Sequence, residues 1–278
     1  MKDVAVVVYL DNEPKLQQEF RWLHKSWCYS GSNQTSDLIV FHHPEVKELP
    51  KDVTEIPLEP LTTKERIWSG YPFINSVYHL TTPEAAGLTS YRYILRTDCD
   101  CFLTPSFPNL RPRLATFGIG MYAQIPAVVV RLARIAEKWG ILYNFNNVGS
   151  TFMMNSDLAL KFSCLHMEYC HKLLADEFRE GPGEWPGWFL GVLTMYAGNL
   201  AANAFFGTGL TLGGLDCHCM SQDRMCSTDY HIHAWHTYDY FSKFTWHGYG
   251  YKDIDMSALD PRKISDYCLL MAGPHPCE

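Results

Sequence analysis

The run Val4-Ala5-Val6-Val7-Val8-Tyr9-Leu10 is the strongest constraint on how this chain folds. Seven apolar residues with no polar alternation describe a strand covered on both faces. Such strands belong to parallel sheets flanked by helices. Asp11, Asn12 and Pro14 follow as a helix-start signal. Leu16, Phe20, Leu23 and Trp27 then recur at i, i+4, i+7 and i+11, the stripe of an amphipathic helix facing one core. Gly31-Ser32-Asn33 breaks the helix, Leu38 to Phe41 is a second buried strand ended by Pro44, and Thr54 to Leu58 a third. Strand, helix, strand in this order predicts a right-handed βαβ opening and a mostly parallel sheet, an α/β fold.

Further along, the pattern predicts a helix over Tyr71–Leu80, strands over Tyr91–Arg96 and Phe117–Tyr122, and a helix over Pro126–Trp139 with Arg131, Arg134 and Lys138 on its polar side. A strand over Val148–Met154, a helix over Asp157–Leu174 capped by Ser156, a helix over Trp188–Asn203 and a strand over His231–His236 follow. Residues 207–229 read as loop, and the chain from Ser242 onward as irregular. No repeat, low-complexity tract or linker interrupts the 278 residues, so one domain over 1–278 is expected.

Composition excludes several classes. With a net charge of −7 the chain is a poor partner for a nucleic-acid backbone. No stretch reaches the 18 or more apolar residues of a membrane span, and the start lacks a signal-peptide pattern. The 10 cysteines are irregularly spaced. A soluble cytoplasmic protein with reduced thiols and no membrane anchor of its own is expected.

The chemistry concentrates in Arg96-Thr97-Asp98-Cys99-Asp100-Cys101-Phe102-Leu103-Thr104-Pro105. Two acids, two residues apart, sit just past the C-terminal end of a buried strand, where open α/β sheets bind ligands. Carboxylates that close repel unless a cation bridges them. Their oxygens suit a hard ion, Mg²⁺ or Mn²⁺, which can in turn hold a diphosphate. A third ligand is expected from His231-Ile232-His233-Ala234-Trp235-His236. Strand alternation puts His231 and His233 on one face and His236 on the other. His236 is favoured because Lys243, seven residues later, can reach a phosphate; His233 is the fallback.

Asp98-Cys99-Asp100 after Tyr-Ile-Leu-Arg-Thr, with a late His and Lys, resembles the GT-A fold glycosyltransferases that carry a DxD motif. The opening Val-Val-Val-Tyr-Leu-Asp-Asn is similar to their nucleotide-binding start. More narrowly, chain size, Tyr71-Pro72-Phe73-Ile74-Asn75-Ser76, Asn147-Val148-Gly149-Ser150-Thr151 and the Phe-Ser-Lys after His236 resemble stand-alone glycosyltransferases of chloroviruses, a group that includes a β-xylosyltransferase acting on capsid glycans. The resemblance implies a Rossmann-like central sheet with a nucleotide half at 1–122 and a donor-sugar and acceptor half at 123–278. It implies Mn²⁺ (or Mg²⁺), a UDP-sugar donor with UDP-xylose favoured, a glycan acceptor and a place in host cytoplasm. Residue by residue, it implies that Asp100 binds the metal, Asp98 the metal or ribose, and His236 completes the shell. Tyr9 and Asp11 would lie near the nucleoside, Asn75 and Ser76 near the base or ribose, and Asn147, Gly149 and Ser150 along the donor sugar.

Inverting transfer needs a carboxylate base for the acceptor hydroxyl. Glu184, in Gly181-Pro182-Gly183-Glu184-Trp185-Pro186, is the first candidate and Asp216 the second. In some inverting members of the resembled fold an acid follows a Trp-Pro near the base; here Gly187-Trp188-Phe189 follows. Two other functions remain in view. One is a non-catalytic binder of nucleotide-sugars or glycans. The other is a zinc-structured interaction protein built on Cys217-His218-Cys219 and Cys226, a set lacking the second Cys-x₂-Cys half of a strong zinc site.

Overall fold

The computed structural model describes residues 2–234 and 241–273. Its centre is a seven-stranded sheet in the order β3-β2-β1-β4-β7-β6-β8. The strands are β1 (Val4–Leu10), β2 (Ser36–His42), β3 (Thr54–Pro57), β4 (Tyr93–Arg96), β6 (Ala115–Ile119), β7 (Val148–Asn155) and β8 (Leu210–Leu212). Strands β3, β2, β1 and β4 run parallel, β7 is antiparallel to both β4 and β6, and β8 is parallel to β6. Every residue of β1 is buried, as its unbroken apolar run requires.

Alternation along β1 divides the core. Val4, Val6, Val8 and Leu10 pack with Phe20, Leu23 and Trp27 of the first helix, Pro14–Tyr29. Ala5, Val7 and Tyr9 pack on the other face with Ala159 and Phe162 of the helix Ser156–Glu177 and with Ala201 and Ala202 of the helix Leu193–Phe206. The helix Pro126–Lys138 covers those two helices from outside through Val128, Leu132 and Ile135.

A small second sheet, β5-β10-β9, sits beside the first helix. It joins β5 (Cys101–Leu103), β9 (Cys217–His218) and β10 (His231–His233). The helix meets it with a second stripe, Glu19, Trp22 and Ser26. Trp22 stacks on Phe102 at 5.9 Å, and Ser26 Oγ accepts the Leu103 amide at 3.0 Å. Phe241 and the C-terminal helix Ile264–Ala272 close this layer.

Several elements differ from expectation for local reasons. Tyr71–Leu80 is broken into short helical pieces, 3-10 at Pro72–Ile74, α at Asn75–Tyr78 and 3-10 at His79–Thr81, and Arg96 Nη2 donates to the Ser76 carbonyl at 2.9 Å. The Trp188 helix begins at Leu193, since Phe189 instead bridges Gly183. Asn155, not Ser156, caps the long helix, its side chain accepting the Asp157 amide. Residues 207–229 contain two short strands, β8 and β9, and the region after Ser242 contains the helices Lys243–His247 and Ile264–Ala272.

Candidate functional site

The chain leaves β1 for β2 and β3 on one side and returns to β4 on the other. The strand order therefore reverses between β1 and β4, the crevice where open α/β sheets bind ligands. Asp98, Cys99 and Asp100 leave the sheet at this point.

Asp98 is anchored sideways. Arg96 Nη2 lies 2.8 Å from Oδ1, and Ser150 Oγ donates to Oδ2 at 3.0 Å. The same guanidinium donates to the Ser150 and Ser76 carbonyls, tying β4 to β7 and to the 75–78 turn.

Asp100 is buried and faces two cations. Lys243 Nζ is 2.5 Å from Oδ2, and His233 Nε2 is 3.4 Å from Oδ1. Antiparallel pairing of β5 with β10 sets His233 opposite Cys101, and the Ala234 amide donates to the Asp100 carbonyl. Lys243 opens a short helix capped by Ser242. Burial favours the neutral acid, yet Lys243 and His233 hold the Asp100 carboxyl well below its usual range.

His233 also lies 3.4 Å from Asp216 through Nδ1. Burial opposes its charge, but Asp100 and then Asp216 raise it to about 10, so it is an imidazolium between two carboxylates. His231, one strand step away on the same face, is the opposite case. Its Nδ1 accepts the Asp216 amide at 3.2 Å, which leaves the proton on Nε2 to donate to Thr97 Oγ1 at 2.7 Å. Burial lowers it to about 4, and it is neutral.

Asp216 is packed where no side chain could share the space. A Cβ on Gly118 would stand 2.0 Å from Asp216 Oδ2, and one on Gly149 2.4 Å. The Thr151 amide donates to that oxygen, and Asp216 itself takes φ +52°. Despite burial, His233 keeps its carboxyl below the usual range.

Glu19 is an acid the periodic reading hid, because an acid on an amphipathic helix is ordinarily a solvated one. Here it is buried beside His247, with Oε1 2.9 Å from Nε2. Burial, and after it the charge of Asp100, raises it to about 8.

The family model of a domain of unknown function, DUF7164, matches residues 1–272. The chain belongs to this family. No curated protein matches this DUF7164 chain. Solved structures similar to it include three glycosyltransferase structures. Galactosyltransferase LgtC in complex with donor and acceptor sugar analogues is 12% identical, covering 77% of this chain and 75% of its own, with a TM-score of 0.47. An active-site mutant of LgtC is 11% identical, covering 94% and 83%, with a TM-score of 0.48. Core-mannan synthase A from Aspergillus fumigatus, in its Mn/GDP form, is 10% identical, covering 77% and 73%, with a TM-score of 0.43.

In this DUF7164 domain Asp98, Ser150, Asp100 and Lys243 gather around the crevice, joined by Asp216 and by His233, the fallback ligand. His236 lies outside the described residues. Tyr9 is the next-to-last residue of β1, its hydroxyl buried, and Asp11 follows the strand, its side chain accepting the Asn12 amide. Asn75 accepts the Leu61 amide, and Ser76 caps back onto the Phe73 carbonyl. Asn147 holds the Ala123 backbone at both its amide and carbonyl. Glu184 stands exposed on its loop and touches none of the crevice residues by hydrogen bond or ion pair among the described residues.

Asp100 and His233 offer an oxygen and a nitrogen that, with the Cys101 thiol, lie within 4.8 Å of one another. The Asp100 oxygen fits a hard divalent ion, and His233 would join it as a neutral imidazole, the ion displacing the Nε2 proton. Cys101 does not fit such an ion, since its sulfur is a soft ligand and a hard divalent ion takes oxygen donors. Cys217, Cys219 and Cys226 form no joint metal-capable group among the described residues. Cys219 Sγ instead meets the Phe241 carbonyl, while Cys217 and Cys226 turn to Asp229.

Proposed function

We propose that this DUF7164 domain is a GT-A type, metal-dependent glycosyltransferase. The observation that carries the reading is Asp100, at the strand-order reversal, meeting His233 and Lys243 from the far end of the chain. Asp100 and His233 would hold Mn²⁺ or Mg²⁺, which supplies Lewis-acid stabilisation of a diphosphate leaving group. Lys243 brings a second positive charge to the same place, suited to a phosphate oxygen. Asp98, fixed by Arg96 and Ser150, presents an acceptor for a ribose hydroxyl or a further metal ligand. Tyr9, Asp11, Asn75 and Ser76 would border the nucleoside, and Asn147, Gly149 and Ser150 the donor sugar.

For inverting transfer, Glu184 is the better base. Asp216 is held by the His233 imidazolium and the Thr151 amide, which stabilise its anion and weaken its basicity. The sequence resemblance supports a UDP-sugar donor, UDP-xylose first, β-linked transfer to a capsid glycan and a setting in host cytoplasm. No helix among the described residues is long and apolar enough to cross a membrane.

A second reading is a binder of nucleotide-sugars without transfer, favoured by the Lys243 ammonium already seated on Asp100 Oδ2. A donor screen by melting temperature with Mn²⁺ tests binding. UDP-sugars are expected to raise it and GDP-sugars to leave it unchanged. No shift with any nucleotide-sugar overturns both readings; a shift without UDP release selects the second.

A further inference from the structure

Apart from the crevice, three groups of different chemistry converge where the first helix meets the β2–β3 connection. His24 and Cys28 are four residues apart on one helix face. Asp52 faces them from a loop whose neighbours Leu49 and Val53 are packed against the core beneath. His24 Nε2 lies 2.8 Å from Asp52 Oδ1. Cys28 Sγ lies 3.8 Å from His24 Nε2 and 3.8 Å from Asp52 Oδ2. All three ligand atoms fall within 4.8 Å of one another.

We propose that His24, Cys28 and Asp52 form a second metal site, selective for zinc or a similar borderline-soft divalent ion. Tetrahedral zinc with bonds of about 2.3 Å to sulfur and 2.0–2.1 Å to nitrogen or oxygen needs donor separations of roughly 3.5 Å to sulfur and 3.4 Å between nitrogen and oxygen. The two sulfur separations are already within a few tenths of an ångström. With Asp52 Oδ2 as the ligand oxygen, Oδ1 must leave its hydrogen bond to His24, and the Asp52 side chain is 51% exposed and able to turn. Three protein ligands leave the fourth position to water.

A cysteine nucleophile with a His–Asp relay is the rival reading of the same residue types. It needs the acid on one ring nitrogen and the thiol on the other. Here both approach the same nitrogen, Nε2. Burial, and then Asp52, pushes the Cys28 thiol up to about 11, the reverse of an activated nucleophile. A bound cation lowers a coordinating thiol and releases its proton to solvent.

The two sites differ in donor class: a hard ion in the crevice is held by Asp100 and His233, whereas this site adds the Cys28 sulfur. Co²⁺ added to the purified full chain is therefore expected to give a thiolate-to-cobalt charge-transfer band at one equivalent, displaced by Zn²⁺. The band should vanish in Cys28→Ser. In Asp52→Ala, an exposed position whose loss leaves the fold intact, Zn²⁺ affinity should fall at least tenfold. Absence of the band in the wild-type chain overturns the proposal. So does its persistence in Cys28→Ser, which would assign the thiolate to another cysteine, and so does unchanged Zn²⁺ affinity in Asp52→Ala.

Discussion

Lys243 and Asp100, 143 residues apart in sequence, meet at 2.5 Å between Nζ and Oδ2 in a buried ion pair. Removing one partner leaves the other charge uncompensated away from water. Lys243→Met is expected to destabilise the fold by about 3 kcal/mol, and the double variant Lys243→Met/Asp100→Asn by less than the sum of the single changes. Urea denaturation of the four proteins measures the coupling. Strict additivity would mean that the pair contributes nothing.

Gly149 and Asp216 share one space. Gly149→Ala would place a methyl group 2.4 Å from Asp216 Oδ2 and 2.6 Å from the Gly118 backbone. Backbone cannot swing aside as a flexible side chain does, so a loss of about 1–3 kcal/mol is expected. The displaced carboxylate should also release His233, so Mn²⁺ affinity should fall in the same variant. Gly87→Ala, where a Cβ meets nothing within 4 Å, is the control and should move neither quantity.

Much of this arrangement was legible in the sequence. The unbroken apolar run of β1, the helix after it and the acids beyond β4 each carry their own local signal. The meeting of Asp100 with His233 depended on β5 pairing antiparallel with β10, which no local pattern encodes. Glu19 and Trp22 stayed hidden because the first helix packs on two sides, and the stronger stripe of Leu16, Phe20, Leu23 and Trp27 masked the second. The C-terminal helix Ile264–Ala272 was missed because it is buried on several faces and so shows little periodicity.

His79 and His166 predict an acid limit to stability. Burial lowers His79 to about 3 and His166 to about 4, from 6.5. Below pH 6.5 the unfolded chain takes up protons that the folded chain refuses, so stability falls on acidification and is fully retained above that value. Each histidine adds a slope of about 1.4 kcal/mol per pH unit down to its folded value. Denaturant midpoints across pH 4–7 check this. His79→Gln should flatten the decline, and an unchanged slope would show that His79 does not supply it.

Trp22 stacks on Phe102 and meets Trp246 edge-on at 5.0 Å, joining the first helix to the layer that carries Lys243. Trp22→Ala is expected to cost about 3–5 kcal/mol. Hydrogen exchange should show the added opening concentrated in 241–273, with β1 and β2 spared. Uniform loss of protection would contradict a layered core.

Under the proposed function, Asp100 is the metal-binding carboxylate that supports sugar transfer. The most direct measurement is UDP release from a panel of UDP-sugars, UDP-xylose included, with Mn²⁺ and with a chelator, for the wild type and for Asp100→Asn. Release by the wild type with Mn²⁺, loss with chelator and a fall of at least about 100-fold in Asp100→Asn are predicted. Equal release by both proteins, or release that survives the chelator, would contradict the account.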